Sequence, residues 1–305
     1  MTELEVVHET RYDYAAPVTL AHHLAHLRPL DDAGQRLLAH ELDIEPGPQQ
    51  RRDDRDAFGN QQSHFTLLRP HRTLVVRATS RVQVAARFAA LQAARSPAWD
   101  TLAARLRYVA RAPFEPAAEF AMPSPYVPRL EPLRAWAAPS CTPGRPVAEL
   151  AIELMRRLHR EFEYESRSTE VDTPLAQAFV QRRGVCQDFA HLLAGALRMH
   201  GVPARYVSGY LLTRGPEDGT AMVGADASHA WVQAWCPDTP GVAGGWLDLD
   251  PTNDLVPGSG HVRVAVGRDF GDVTPLRGVI RGGGRHTLAV GVTTRVVGPV
   301  VANPG

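Results

Sequence analysis

The chain has no excess of either charge, no long apolar run and very little cysteine. Lys and Arg number 33 against 33 Asp and Glu, a formal net charge of +0. Without a basic surplus nothing pulls it over long range toward nucleic acid or an anionic membrane. No uninterrupted apolar stretch approaches the ~20 residues that span a bilayer. The first residues, Met1 to His8, carry acids and lack the basic stretch and apolar run of a secretory signal. Three cysteines, Cys141, Cys186 and Cys236, are too few and too scattered for a disulfide scaffold. The metal-site spacings C-x-x-C, H-x-x-x-H and H-E-x-x-H are read as missing as well, so no metal is expected. These absences predict a soluble, reduced, cytoplasmic protein.

What is present divides into four stretches. Residues 1–87 have the texture of an N-terminal β domain. Val6, His8, Thr10, Tyr12 and Tyr14 alternate until Pro17 breaks the run, Asp56 to Asn60 reads as a turn, and alternation resumes from Thr73 to Ala85. Short strands separated by turns predict an antiparallel sandwich. Residues 88–146 form a partly helical connector whose prolines forbid long elements. A compact α+β unit follows over 147–254, and 255–305 is a C-terminal β extension. In that extension Arg281-Gly-Gly-Gly-Arg285 lacks the strand-to-helix setting of a phosphate loop and reads as a hairpin connection.

Within 147–254, Leu150, Leu154, Leu158 and Phe162 recur at helical spacing. Thr173-Pro174 is suited to cap and open a second helix, which Gly184 ends. Phe189, Leu192, Leu193, Ala196 and Leu197 mark a third helix that stops at Gly201 and Pro203. Cys186 falls in its first turn. Strands over 205–212 and 229–235, with a glycine-containing loop between them, and a third over 246–250 complete the unit. The fold class is α+β: a cysteine-bearing helix packed on an antiparallel sheet, with a sandwich-like domain ahead of it.

A thiol in the first turn of a helix meets exposed N–H groups, which favour a thiolate and can hold an oxyanion. A nucleophile of this kind needs a base, and the base an orienting acid. If the hairpin after His229 turns between Thr239 and Pro240, His229 faces Asp250 directly, and 229, 231 and 233 share a face with 246, 248 and 250. A slip by two residues would bring in Asp248 instead, while a slip by one would separate the groups. His191 reads as off the thiolate side. His159 and His200, near helix C-termini, read as solvated cations. Asp188 is expected to support the helix start, and Trp231 and Trp246 to line and pack the site.

Gly184-Val-Cys186-Gln-Asp188-Phe-Ala190, then Gly201-Val-Pro203-Ala-Arg205-Tyr-Val-Ser-Gly209-Tyr210, resembles the core motif of bacterial transglutaminase-like proteins. His229-Ala-Trp231-Val and Gly245-Trp246-Leu-Asp-Leu-Asp250-Pro251-Thr252 are similar to the family's second and third motifs, in the family's order. The N-terminal segment, with His8 to Tyr12, Pro17 and Arg28-Pro29, resembles the β domain that accompanies this core. The resemblance implies a papain/transglutaminase-like core with Cys186 as nucleophile, His229 as base and then acid, and Asp250 as orienter. It places the oxyanion at the Cys186 N–H, with Tyr164 as a weaker donor. It implies a peptide or protein substrate and no cofactor, and no acidic loop supports a calcium requirement. Water or an amine could resolve the acyl-enzyme, hydrolysis being the expectation. A binding module that has lost catalysis is the competing reading.

Overall fold

The computed structural model describes residues 1–111, 113–165, 173–213 and 227–297; the glycine-containing loop before His229 lies largely outside them. The N-terminal part comprises β1 (Thr2–Ala25), β2 (Gln35–Glu45), β3 (Gln50–Arg55), β4 (Gln61–Leu67) and β5 (His71–Val84). They belong to one antiparallel sheet in the order β2-β5-β1-β4-β3. Residues 2–13 of β1 pair with β5, whereas residues 21–25 pair with β4, so the sheet curls along one strand into two limbs.

Pro17 does not end β1. It sits where the pairing with β5 shifts register, between Asp13 and Val18, and a residue without an N–H is tolerated at such an irregularity. The turn at Asp56 is as expected: Asp56 Oδ1 accepts from the Phe58 and Asn60 amides at 2.8 and 2.9 Å, and Gly59 has φ +85.

The next stretch holds α1 (Trp99–Arg105) and α2 (Glu131–Ala137), and the compact unit holds α3 (Val147–Glu161), β6 (Glu163–Tyr164), α4 (Leu175–Gln181), β7 (Arg183–Gly184) and α5 (Cys186–Arg198). The start of α4 falls one residue later than read, with Pro174 in the cap position, and it stops at Gln181 rather than at Gly184. Arg182 ends it in the left-handed region, its guanidinium over Phe162 and Phe179 at 4.6 and 4.8 Å. Side-chain packing there overrides the preference for glycine.

Strands β8 (Ala204–Leu211), β9 (His229–Trp235), β10 (Trp246–Leu249) and β11 (His261–Gly267) form a second sheet, ordered β10-β9-β8-β11. One face, with Ala230, Val232, Leu247 and Leu249, is buried in the same cluster as α3 and α5. Leu4, Val6, Val82 and Val84 belong to that cluster too, so the two sheets share a core.

After α6 (Phe270–Val273) come β12 (Leu276–Gly282) and β13 (His286–Val296), both antiparallel to β1. They run in one direction along the same strand, with Ala25 opposite Leu276 and Leu4 opposite Val296. The triglycine loop is therefore a bulge and not a hairpin. Gly282, Gly283 and Gly284 all have positive φ, and a Cβ at Gly282 would lie 2.5 Å from the Pro17 carbonyl oxygen. Among the described residues no helix is long and apolar enough to cross a membrane.

Candidate active site

Cys186 opens α5, so its N–H lacks a partner within the helix. Asp188 supports this start, as expected, its carboxylate accepting from the Val185 amide at 2.9 Å. Gly184 makes that possible, since a Cβ there would lie 2.6 Å from Asp188 Oδ2. Cys186 is partly exposed and lines a cavity of about 410 Å³ together with His229. The other thiols differ. Burial pushes Cys141 up to about 11 and raises Cys236 further.

His229 and Asp250 meet, but not through the predicted register. Trp246 pairs with Trp235 and Leu249 with Val232, two residues away from the expected alignment. The slip preserves the face and runs opposite to the one that would favour Asp248. Asp250, just past the end of β10, is held by a two-way bridge to Leu255. From there its Oδ2 reaches His229 Nε2 at 2.9 Å, with both side chains fully buried. Its Oδ1 accepts from the Thr252 and Asn253 amides at 3.0 and 3.2 Å. Oδ2 also takes Asn253 Nδ2 at 2.9 Å and His261 Nε2 at 3.1 Å.

Burial alone would lower the His229 pKa. The Asp250 carboxylate overrides it, with a further contribution from Cys186, and pushes the imidazole up to about 10. Asp250 is also disfavoured as an anion by burial, yet the His229 charge and the bonds from His229 and His261 bring it well below the usual carboxylate range. His229 Nδ1 has no hydrogen bond of ordinary geometry.

Asp248 is elsewhere. It is fully buried two residues along β10, bonded to Gln233 and ion-paired with Arg87. Trp231 is buried beside His229, the rings 6.1 Å apart and stacked. Trp246 does not line this cavity; it stacks with Arg205 at 4.2 Å near the other end of the sheet. Tyr164 packs near Phe189, 6.4 Å between centroids, and is not part of the cavity wall.

His191 is buried, accepts from the Phe270 amide at 3.1 Å and is lowered to about 3 by burial. His200 is half-buried: burial lowers its pKa, and its Nε2 lies 3.2 Å from the Arg134 carbonyl. His159 Nδ1 lies 3.2 Å from the Pro251 carbonyl, bracing the turn that carries Asp250. His22 and His26 do stand at H-x-x-x-H spacing, against that reading, but His22 lies on β1 and His26 just past its end, and they bond Thr66 and the Thr274 carbonyl. Among the described residues no three ligating side chains gather around a metal-sized site.

Two features of the site escaped the sequence reading. His261 begins β11, in which Val262, Val264 and Val266 alternate, and a polar residue at the head of that run was the available signal. The cavity's far wall is β1 and β13, through His8, Thr10, Tyr12, Leu288 and Val290. His8 is lowered to about 4 by burial and bonds Tyr210 at 3.0 Å and Thr10 at 2.9 Å. Polar His8 and Thr10 at buried positions of an otherwise apolar stripe were the hint that this strand faces something other than core.

Residues 4–83 match the bacterial transglutaminase-like N-terminal region, and residues 134–251 match the transglutaminase-like superfamily. An uncharacterized protein of Mycobacterium tuberculosis is 40% identical over 275 residues, 90% of this chain and 86% of its own length. A protein-glutamine gamma-glutamyltransferase of Pseudomonas aeruginosa is 34% identical over 117 residues, 37% of this chain and 17% of its own length. The crystal structure of a candidate cysteine protease from Cytophaga hutchinsonii has the same fold, with a TM-score of 0.72. It is 20% identical, and the likeness covers 99% of this chain and 92% of that one.

Proposed function

The chain belongs to the transglutaminase-like superfamily and carries the bacterial N-terminal region ahead of its core, and from that premise we propose that it is a cysteine-dependent acyl-transfer enzyme acting on amide bonds of a peptide or protein. One observation carries this reading. A partly exposed thiol at a helix start shares a cavity with a fully buried imidazole–carboxylate pair.

In the proposed reaction the Cys186 sulfur, as thiolate, attacks the amide carbonyl carbon and the carbonyl oxygen takes the negative charge. The N-terminal amides of α5 are the available donors for it. His229, charged at neutral pH because Asp250 holds it so, gives its Nδ1 proton to the departing nitrogen as the C–N bond breaks. A thioester on Cys186 remains. Neutral His229 then takes a proton from the acceptor as it attacks, and the thiolate and imidazolium are restored. Water is the acceptor in this reading, because amine transfer requires a thioester shielded from water and Cys186 is partly exposed.

The test is alkylation by iodoacetamide across pH, read at each cysteine by mass spectrometry, in the native chain and in His229→Ala. Cys186 should react roughly 10²-fold faster than Cys236 near neutral pH and lose most of that advantage without His229. A Cys186 indifferent to His229 would sink the reading and favour a non-catalytic binding module. Peptide amides offered with and without methylamine then separate hydrolysis, which yields free acid, from transfer, which yields the methylamide.

A further inference from the structure

A second cavity, about 400 Å³, lies at the other end of the catalytic sheet and shares no lining residue with the one that holds Cys186. Gln233, on its wall, is four residues along β9 from His229, ~13 Å at ~3.3 Å per residue. Three guanidinium groups converge there against two carboxylates. Arg87 pairs with Asp248, and Arg263 pairs with Asp32 at 2.6 Å. Arg205 has no carboxylate in ion-pair range among the described residues: its Nε donates to the Gln233 amide oxygen at 2.6 Å and its plane lies on Trp246.

Arg205 is half-buried, and the desolvation draws it down to about 10. Arg87 and Arg263 each keep a buried Nε without a hydrogen-bond partner, the Arg263 side chain being 6% exposed. The cluster is also sterically built. At Gly34 a Cβ would lie 2.3 Å from Arg87 Cδ and 3.3 Å from an Arg263 terminal nitrogen, so the glycine leaves room for both.

An uncompensated buried cation is costly unless something supplies the missing charge. A planar guanidinium fork matches the two oxygens of a carboxylate or phosphate better than a monatomic ion. We propose that this cavity is a binding site for a small oxyanion, a carboxylate or phosphate group, held by Arg205 between Arg87 and Arg263 and separate from the active site.

The full chain is titrated with sodium phosphate and, separately, sodium succinate, against sodium chloride at matched ionic strength. Tryptophan fluorescence and melting temperature are followed in the native chain, Arg205→Gln and Trp246→Phe. A saturable response above the chloride baseline is expected, at least tenfold weaker in Arg205→Gln. Trp246→Phe should lose the fluorescence change and keep the thermal one. Response to phosphate alone identifies a phosphoryl ligand, and response to succinate alone a carboxylate. Absence of saturable response to either anion in the native chain overturns the proposal whether or not the variants fold. So does an Arg205→Gln protein that is folded by circular dichroism and binds as tightly as the native one.

Discussion

Asp248 and Asp250 stand two residues apart at the end of one strand, point to the same face and are both fully buried, yet their surroundings differ in kind. Asp250 is held by two imidazoles and by amides, whereas Asp248 is held by an arginine and a glutamine amide. An arginine keeps its proton throughout the accessible pH range, so the Asp248 end can brace but cannot exchange protons. An imidazole can give and recover a proton, so the Asp250 end can take part in a reaction. Identity of the acid does not separate the two; the partner's capacity to titrate does.

The sharpest way to break this comparison is to neutralise each acid in turn. Asp250→Asn is expected to slow turnover by roughly 10²–10⁴-fold through loss of imidazole orientation and charge, whereas Asp248→Asn should stay within about threefold. Initial rates on a peptide amide that the native chain turns over decide it. Equal losses would mean that the two ends act as one unit.

Stability should rank the other way. Asp248→Asn strands the Arg87 charge and is expected to cost roughly 3–5 kcal/mol, read by urea denaturation. Asp250→Asn should cost less, because His229 can shed its proton when its counter-charge is gone.

The pH dependence of unfolding sharpens the contrast further. His229 is raised when folded, so its contribution is complete below the unfolded value near 6.5 and is lost as pH rises through about 10. Melting curves from neutral to alkaline pH should show this loss, on the order of a few kcal/mol. In Asp250→Asn it should move to lower pH, and Asp248→Asn should leave it in place.

The smallest expected effect is at His261. It touches Asp250 and not the cavity, which makes it a positioning residue. His261→Phe should lower kcat by about tenfold with KM little changed and shift the alkylation pH profile of Cys186. A merely structural role would lower stability without moving that profile.

Much of the site was legible because its signals are local. The apolar stripe from Phe189 to Leu197 and the stop at Gly201 located the helix start, and with it Cys186. Alternation in 229–235 and 246–250 assigned His229 and Asp250 to one face. Register was not legible, because pairing is chosen by the whole hairpin and its turn, and a slip of two leaves every face unchanged. The partnership of β1 with β13 joins residues nearly the length of the chain apart, which no local pattern reports. The triglycine bulge shows the same limit: its composition suits a hairpin equally well until the strand it lies against is known.

That long-range pairing bears on the order in which the fold comes into being. A nascent chain synthesised as far as residue 254 already contains Cys186, His229 and Asp250, but lacks His261 and β13 (His286–Val296). Strand β1 must therefore wait for β13 before the cavity has its far wall. At roughly 5–20 residues per second, that wait is a matter of seconds after residue 254 has been added. The pairing of β1 with β13 thus acts as a timer, withholding a complete cavity until translation has passed well beyond Asp250.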